Sequence, residues 1–309
     1  MSLSTQSEIT IVIPYYKGLK YLELAIGSVL KQTKPTWNLV VVDDCGGDDA
    51  ETSVKGYGDS RISYHRNETN LGLAANWNRS VTYSHSPYTT ILHADDQLEP
   101  TYVEEMVALM NRYPGVVAAN ARANILDHEG RVINPVANKV KKFISPKHDE
   151  FALIRGDDGL ASLMIGDWII CPTLCYRTNY LKEHPFETRY KFVVDLSWIA
   201  EVLFDGQTII SSNRILYNYR VHVGTQTSVL TANSLRFKEE LALTSLVYER
   251  CGRQGWKKSA RNAKLMPTVR LHLLYLILQS VRLLDFPKAY QMGKLAVTRI
   301  PLLDTNAEL

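Results

Sequence analysis

The chain has 309 residues, 45% hydrophobic and 22% charged, with a formal net charge of +3. This is an ordinary globular composition with ample apolar surface for a core, which excludes a disordered chain. The net charge is too small to point to nucleic acid, and none is expected as a partner. The length allows two domains of about 150 residues, or one large α/β domain with an extension. Charge is unevenly spread: residues 232–309 hold thirteen Lys/Arg against six Asp/Glu, while the rest is mildly acidic. Such asymmetry points to a surface that meets something anionic. Of Cys45, Cys171, Cys175 and Cys251, only Cys171 and Cys175 are close, without the His or Cys companions of a metal site, and so large a core-rich chain does not call for a disulfide framework. The expectation is therefore a cytoplasmic protein with reduced thiols and no secretory leader. The longest apolar run, Leu273 to Leu278, falls far short of the ~20 residues that span a bilayer.

In chain order, "ITIVIP" (9–14) reads as a buried strand stopped by proline, and Leu19, Leu22, Ile26, Val29 and Leu30 recur at helical spacing. "NLVVVDD" (38–44) is a second strand and "CGGDD" a turn. "RISYHRN" (61–67) is a third strand, and a helix follows Gly72. "YTTILHADD" (88–96) is a fourth strand. Pro100 and Pro114 bracket the next helix, before a fifth strand at "GVVAANARANIL" (115–126). Strands alternating with helices predict an α/β fold with a mixed, mainly parallel sheet flanked by helices. Residues 134–158 show weak periodicity and read as a mobile connection or lid. In such sheets ligands bind beyond the carboxyl ends of the strands. There lie Pro14-Tyr15-Tyr16, Asp43-Asp44 and Asp95-Asp96.

Adjacent Asp95 and Asp96 suit a hard divalent cation, Mn2+ or Mg2+, or else cap the helix near Pro100. Asp43 and Asp44 suit hydrogen bonds from a base or ribose, or else serve the turn that follows. Two acidic tips on parallel strands favour one shared site.

Four blocks in order, "ITIVIPYYKGLKYLELAIGSVLKQT", "NLVVVDDCGGDD", "NETNLGLAANWNRS" and "TTILHADDQLEP", resemble the nucleotide-binding half of family 2 glycosyltransferases with a GT-A fold. The likeness covers residues 9 to about 124. It continues more loosely through "CPTLCYR" (171–177), "VVDLSWIAEVLFDG" (193–206) and "YNYRVHVGTQTS" (217–228). The resemblance implies that Pro14 and Tyr15 line the nucleotide pocket and that Asp44 accepts from the base. Asn70 and Gly72 would lie over the donor, with Asn78 on the following helix. Asp95 would contact ribose or metal, Asp96 and His222 would ligate metal, and Arg220 would meet phosphate. Asp195 would be the general base, and Trp168 would form part of the acceptor wall. The sequence departs from the family at His93, where a carboxylate is usual; this residue reads as a core histidine, although two residues before Asp95 on a strand it would share that aspartate's face near the site. It departs also at Gly46 for serine, Trp77 for arginine, and Val194 for an acid.

The resemblance thus implies a GT-A catalytic domain over 1–231, with a nucleotide-binding half (9–124) and an acceptor half (125–231). A basic helical C-terminal extension follows over 232–309. The implied activity is inverting transfer of a sugar from a nucleotide-sugar, UDP-linked, to a hydroxyl of a glycan or lipid-linked glycan in surface polysaccharide synthesis. The competing readings are a nucleotidyltransferase, which would want a Gly-rich basic loop after the first strand, and a non-catalytic binding module. In the extension, Thr268, His272, Tyr275, Gln279 and Arg282 form a polar stripe after Pro267, with leucines filling the rest. The apolar face is expected to pack on the catalytic domain or on a second copy in a homodimer. The basic cluster Arg253, Lys257, Lys258, Arg261 and Lys264 predicts peripheral contact with the inner face of a membrane.

Overall fold

The computed structural model describes residues 7–222, 230–231 and 234–298. Its first half is built on strand β1 (Ile9–Tyr15), whose apolar side chains are covered on both faces. Strand β2 (Trp37–Asp43) lies parallel to it, running from Ile9 opposite Trp37 to Tyr15 opposite Asp43. Strand β3 (Ile62–Arg66) adds to the outer edge of β2, and β4 (Tyr88–Ile91) to the other edge of β1, both parallel. Pro14 does not stop β1. Its missing N–H faces the β4 side, where pairing has already ended with Leu92 N donating to the Val12 carbonyl. Helix α1 (Leu19–Leu30) buries Leu22, Ala25, Ile26 and Val29, the spacing expected of one helical face. Helix α3 (Leu73–Thr82) buries Ala74, Trp77 and Val81.

Strand β4 ends at Ile91, so Asp95 and Asp96 stand on the turn beyond a strand and not at its tip. Two further elements of this half have no counterpart among the expected ones. Helix α2 (Ala50–Gly56) follows the expected turn and is capped by that turn's last residue, Asp49, which accepts from Thr52 N at 3.3 Å. Strand β5 (Gln97–Leu98) is only two residues long.

After helix α4 (Tyr102–Arg112) and strand β6 (Ala118–Leu126), the chain forms strand β7 (Val132–Ile133) and helix α5 (Val136–Ile144). Strand β8 (Phe151–Arg155) and helix α6 (Gly156–Ile165) follow. The expected structureless stretch at 134–158 is thus mostly regular. Its signal is weak because α5 buries no residue. Strand β9 (Leu174–Arg177), helix α7 (Thr178–Glu183), helix α8 (Val194–Phe204) and strand β10 (Thr208–Arg220) complete the sheet, in the order β3-β2-β1-β4-β9-β6-β10-β5. Strand β10 runs parallel to β6 and antiparallel to β8 and β5, so it reaches across the sheet to the 93–96 turn.

The C-terminal helices are α9 (Leu235–Gln254), α10 (Lys257–Leu265), α11 (Pro267–Arg282) and α12 (Phe286–Val297). Residues 232 and 233, where the extension was expected to begin, lie outside the described residues. The extension is tied to the body by directed bonds. The Asp157 carboxylate accepts from Lys258 N and Ser259 N, supplying α10 with the acidic N-terminal group that its own sequence lacks. Glu239 accepts from the backbone N–H groups of Lys191, Phe192 and Val193 just before α8. The core of the α11–α12 hairpin is small, with Phe237, Leu273 and Met292 at its centre.

Candidate active site

The chain leaves β1 toward β2 and β3, then returns to the other side of β1 as β4. That reversal opens a crevice beyond the carboxyl ends of β1 and β4, the place where open α/β sheets bind ligands. Tyr15 reaches this end of β1 but is only 1% exposed. Its hydroxyl donates to Asp48 at 2.6 Å, and Asp48 also accepts from Gly18 N. Burial and Asp48 together raise the phenol well above its ordinary range. Pro14 is half-buried beside it, while Tyr16 is exposed.

Asp43 and Asp44 are both buried and both engaged. Asp43 accepts from Gly46 N at 2.8 Å and from the Tyr64 hydroxyl at 2.6 Å, which is turn chemistry. Asp44 accepts from Asn67 Nδ2, Leu71 N and Gly72 N, all within 2.9 Å. The strand tip therefore holds the 67–72 loop directly. Gly72 has φ of 81° as it enters α3, a conformation that costs glycine little. Its N–H is shared with the exposed Asn70 side chain. The Gly46 departure has a local reason: a Cβ there would fall 1.5 Å from the Tyr16 carbonyl oxygen. Asn78 uses both ends of its amide on the backbone of Phe186, at 2.8 and 2.9 Å, and so staples α3 to the segment after α7.

The 93–96 turn is held by the end of β10. Asp96 is fully buried and accepts from Arg220 N at 2.7 Å and the Tyr217 hydroxyl at 3.0 Å. Burial, then the neighbouring Asp95 charge, push its carboxyl well above the usual range. The Arg220 side chain is buried as well. Its guanidinium donates to the carbonyls of Asp95 and Asp127 and to Gln97, so it clamps two turns and does not face open solvent. Asp95 is half-exposed, and His222 Nε2 lies 3.2 Å from its carboxylate. The Tyr21 ring of α1 stacks on His222 with centroids 5.4 Å apart.

His93 completes the cluster. Strand β4 ends at Ile91, five residues before the expected end at Asp96, so His93 lies on the turn with the two aspartates and not in a strand core. Ligand atoms of His93, Asp95 and Asp96 lie within 4.8 Å of one another, the one such acidic or imidazole group among the described residues. Burial lowers the His93 imidazole, and its buried Nε2 has no partner. A neutral imidazole, with Nδ1 3.8 Å from the Asp96 carboxylate and a buried Nε2 that has no partner, fits a divalent cation together with the two crowded carboxylates. His222 bonds to Asp95 instead of entering that group.

A second cluster forms around Asp195, in the first turn of α8. Its carboxyl is 8% exposed, and burial followed by the Asp167 charge raises it to about 7, against the pull of Lys141. The Cys171 thiol hydrogen-bonds to it. Asp167 is itself raised by burial, has an unpartnered buried oxygen, and is opposed by Lys141 and Arg236. Lys141, on α5, donates to the Ile169 carbonyl at 3.2 Å. Trp168 next to it is a core residue, with its indole N–H on Ser162. Sequence reasoning missed Asp167, Lys141 and Tyr21. Asp167 had a signal, a lone acid opening the apolar run "DWIIC"; the others had none.

Known proteins resemble this arrangement. The family described as "Glycosyl transferase family 2" matches residues 10–165, half of the chain. An uncharacterised glycosyltransferase of Rickettsia typhi is 25% identical over 75% of this chain and 70% of its own. TuaG of Bacillus subtilis, whose description provisionally assigns it to teichuronic acid biosynthesis, is 29% identical over 69% of this chain and 79% of its own. The Escherichia coli enzyme WfgD, described as a UDP-Glc:alpha-D-GlcNAc-diphosphoundecaprenol beta-1,3-glucosyltransferase, is 31% identical over 33% of this chain and 40% of its own. The crystal structure of Staphylococcus aureus TarS residues 1–349 with UDP-GlcNAc superposes with a TM-score of 0.59. It is 16% identical and the match covers 93% of this chain and 90% of that one. That likeness shows a shared GT-A fold.

Proposed function

The chain belongs to glycosyl transferase family 2, and on that footing we propose that it is an inverting transferase acting from a UDP-sugar onto a hydroxyl of a lipid-linked glycan. The neighbour TarS binds UDP-GlcNAc and the relative WfgD acts on a diphosphoundecaprenol-linked sugar, which supports both halves of this reading. The relative TuaG supports a place in surface polysaccharide synthesis.

The observation that carries the proposal is the Asp195 carboxyl, buried at a helix N-terminus and raised to about 7. An efficient general base has a pKa near the working pH. The acceptor oxygen attacks the anomeric carbon as the bond to the diphosphate oxygen breaks. The acceptor proton passes to an Asp195 oxygen, and the nucleoside diphosphate leaves with the bonding pair. Asp167 keeps Asp195 basic, and Lys141 limits that effect. Asp44 orders the 67–72 loop over the donor, and Asn70 offers its exposed amide. Asp95, Asp96 and His93 would hold Mn2+ or Mg2+, which when bound offsets charge on the leaving diphosphate. Arg220 and His222 fix the turn that carries them. We place the catalytic domain at 1–231 and the helical extension at 232–309.

The test is transfer from labelled UDP-sugars to a lipid-diphosphate sugar with Mn2+, followed by release of UDP. Release of UDP with no labelled product on any glycan acceptor would remove the transferase assignment for these acceptors. Formation of a nucleotide-sugar from a sugar phosphate and UTP would replace it with a nucleotidyltransferase.

A further inference from the structure

Helix α11 turns its leucines in two directions. Leu273 is fully buried, with Leu276 and Ile277 packed partly buried beside it against Phe237 and Met292. Leu271, Leu274, Leu278 and Val281 recur at i, i+3, i+7 and i+10 and are 46–66% exposed. The hairpin tip continues this stripe with Leu283 and Phe286, 73% and 60% exposed. Single exposed leucines need no explanation, but a continuous apolar stripe with an apolar tip marks an interaction surface.

The charge around this stripe selects its partner. Between Lys257 and Thr298 there are eight Lys/Arg and one acidic residue, Asp285. Among the described residues only Lys258 of these is ion-paired, to Asp158. Exposed Lys257, Arg261, Lys264, Arg282 and Lys294 are thus left toward solvent. A two-fold contact places the same patch on both copies. Two such hairpins face to face would bring like charges together around the apolar stripe. An anionic lipid surface has the opposite sign and an apolar interior to receive the tip.

A second element points the same way. Helix α5 exposes Val136, Val140 and Phe143 at i, i+4 and i+7, with Lys139 and Lys142 between them. The end of α5 and the start of α11 converge on Gly166. A Cβ there would come within 2.5 Å of Thr268 Oγ1 and 2.9 Å of Ile144 Cδ1. Thr268 is anchored at this point by donating to the Ile165 carbonyl. Gly166 precedes Asp167, so the C-terminal end of α5 and the N-terminal end of α11 meet beside the Asp195 cluster.

We propose that α5 and the α11–α12 hairpin form one docking surface for an anionic lipid bilayer, entered by the hairpin tip and held by the lysines and arginines around it. The contact is peripheral: no helix among the described residues is long and apolar enough to cross a membrane. Docking needs neither nucleotide nor acceptor, so it stands or falls apart from the transferase reading.

The experiment is flotation of the full-length protein with phosphatidylcholine vesicles, with and without phosphatidylglycerol. The protein is expected to float with the anionic vesicles only, and to be released at about 1 M salt, where the screening length falls to about 3 Å. The triple variant Arg282→Glu, Lys288→Glu, Lys294→Glu should lower the vesicle partition coefficient by about 100-fold or more, from roughly fivefold for each basic residue lost. Phe286→Asp should weaken it as well, by removing the apolar tip. Thermal unfolding at the wild-type temperature confirms that these surface variants are folded. Absence of flotation at low salt overturns the proposal, as does equal binding of wild type and the triple variant. A wild-type dimer in sedimentation equilibrium that Leu278→Asp dissociates would assign the stripe to a second copy and overturn it too.

Discussion

His222 Nε2 lies 3.2 Å from the Asp95 carboxylate, joining the exit of β10 to the turn after β4. The contact closes a ring in which Asp96 accepts from Arg220 N and Arg220 donates to the Asp95 carbonyl. The two aspartates therefore differ in kind. Asp95 is a half-exposed ligand, whereas Asp96 is also part of the framework.

Asp95→Asn is expected to weaken Mn2+-dependent UDP binding at least about tenfold, with little change in melting temperature, because an exposed pair contributes little to stability. Asp96→Asn should weaken the same binding while also moving the melting temperature, since both its oxygens accept buried bonds. Calorimetry of UDP with and without Mn2+, beside thermal melts, separates them. Equal metal dependence in wild type and both variants would take the ion away from this turn.

Asp44→Asn is expected to lower stability and UDP affinity together. An amide group there would set N–H against N–H at the loop it now holds through three accepted bonds. Loss of stability should be about 1–3 kcal/mol. Urea unfolding and UDP titration on one preparation check this; a full-strength UDP affinity would exclude the loop from the donor site.

Asp195→Asn should reduce turnover by about 10²–10⁴ while leaving donor binding nearly intact. For the wild type, kcat/KM should rise with pH through about 7 as the base loses its proton. The stability effect runs the other way. A raised carboxyl pKa favours the folded state while the group stays protonated. The unfolded chain loses that proton near 3.8, so stability falls as pH rises from there to about 7. Asp195→Asn should therefore gain melting temperature over wild type at pH 8, by more than at pH 5. A flat difference across that range would mean that the carboxyl is not raised.

Gly46→Ser, which places the family's usual side chain in the turn, is expected to cost about 1–3 kcal/mol here. The added Cβ meets the Tyr16 carbonyl, and backbone must move to admit it. Denaturant midpoints decide the matter, and a stability equal to wild type would show that the turn relaxes freely.

Much of this architecture is readable because long-period signals are strong. The buried runs at 9–14 and 38–44 and the spacing of Leu19 through Leu30 became β1, β2 and α1. The site was harder where geometry depends on distant partners. A lone histidine in an apolar run reads as core, although alternation along a strand to residue 96 would set it on the face of Asp95; β4 instead ends at Ile91, and the turn brings His93 to Asp95 and Asp96. Arg220 looks like a phosphate ligand by charge, and only the fold shows its guanidinium on Asp127, Gln97 and the Asp95 carbonyl. Lys141 and Asp167 meet Asp195 from segments 54 and 28 residues away in sequence, a separation that no local pattern encodes.

The tether from Asp44 to the 67–72 loop also bears on the thermodynamics of ligand capture. Fixing a loop residue on binding costs roughly 1–2 kcal/mol of backbone entropy. Here Asn67, Leu71 and Gly72 are fixed by the fold itself. A nucleotide that settles against this loop meets an ordered wall, and its association should carry little of the heat-capacity and entropy signature of coupled folding.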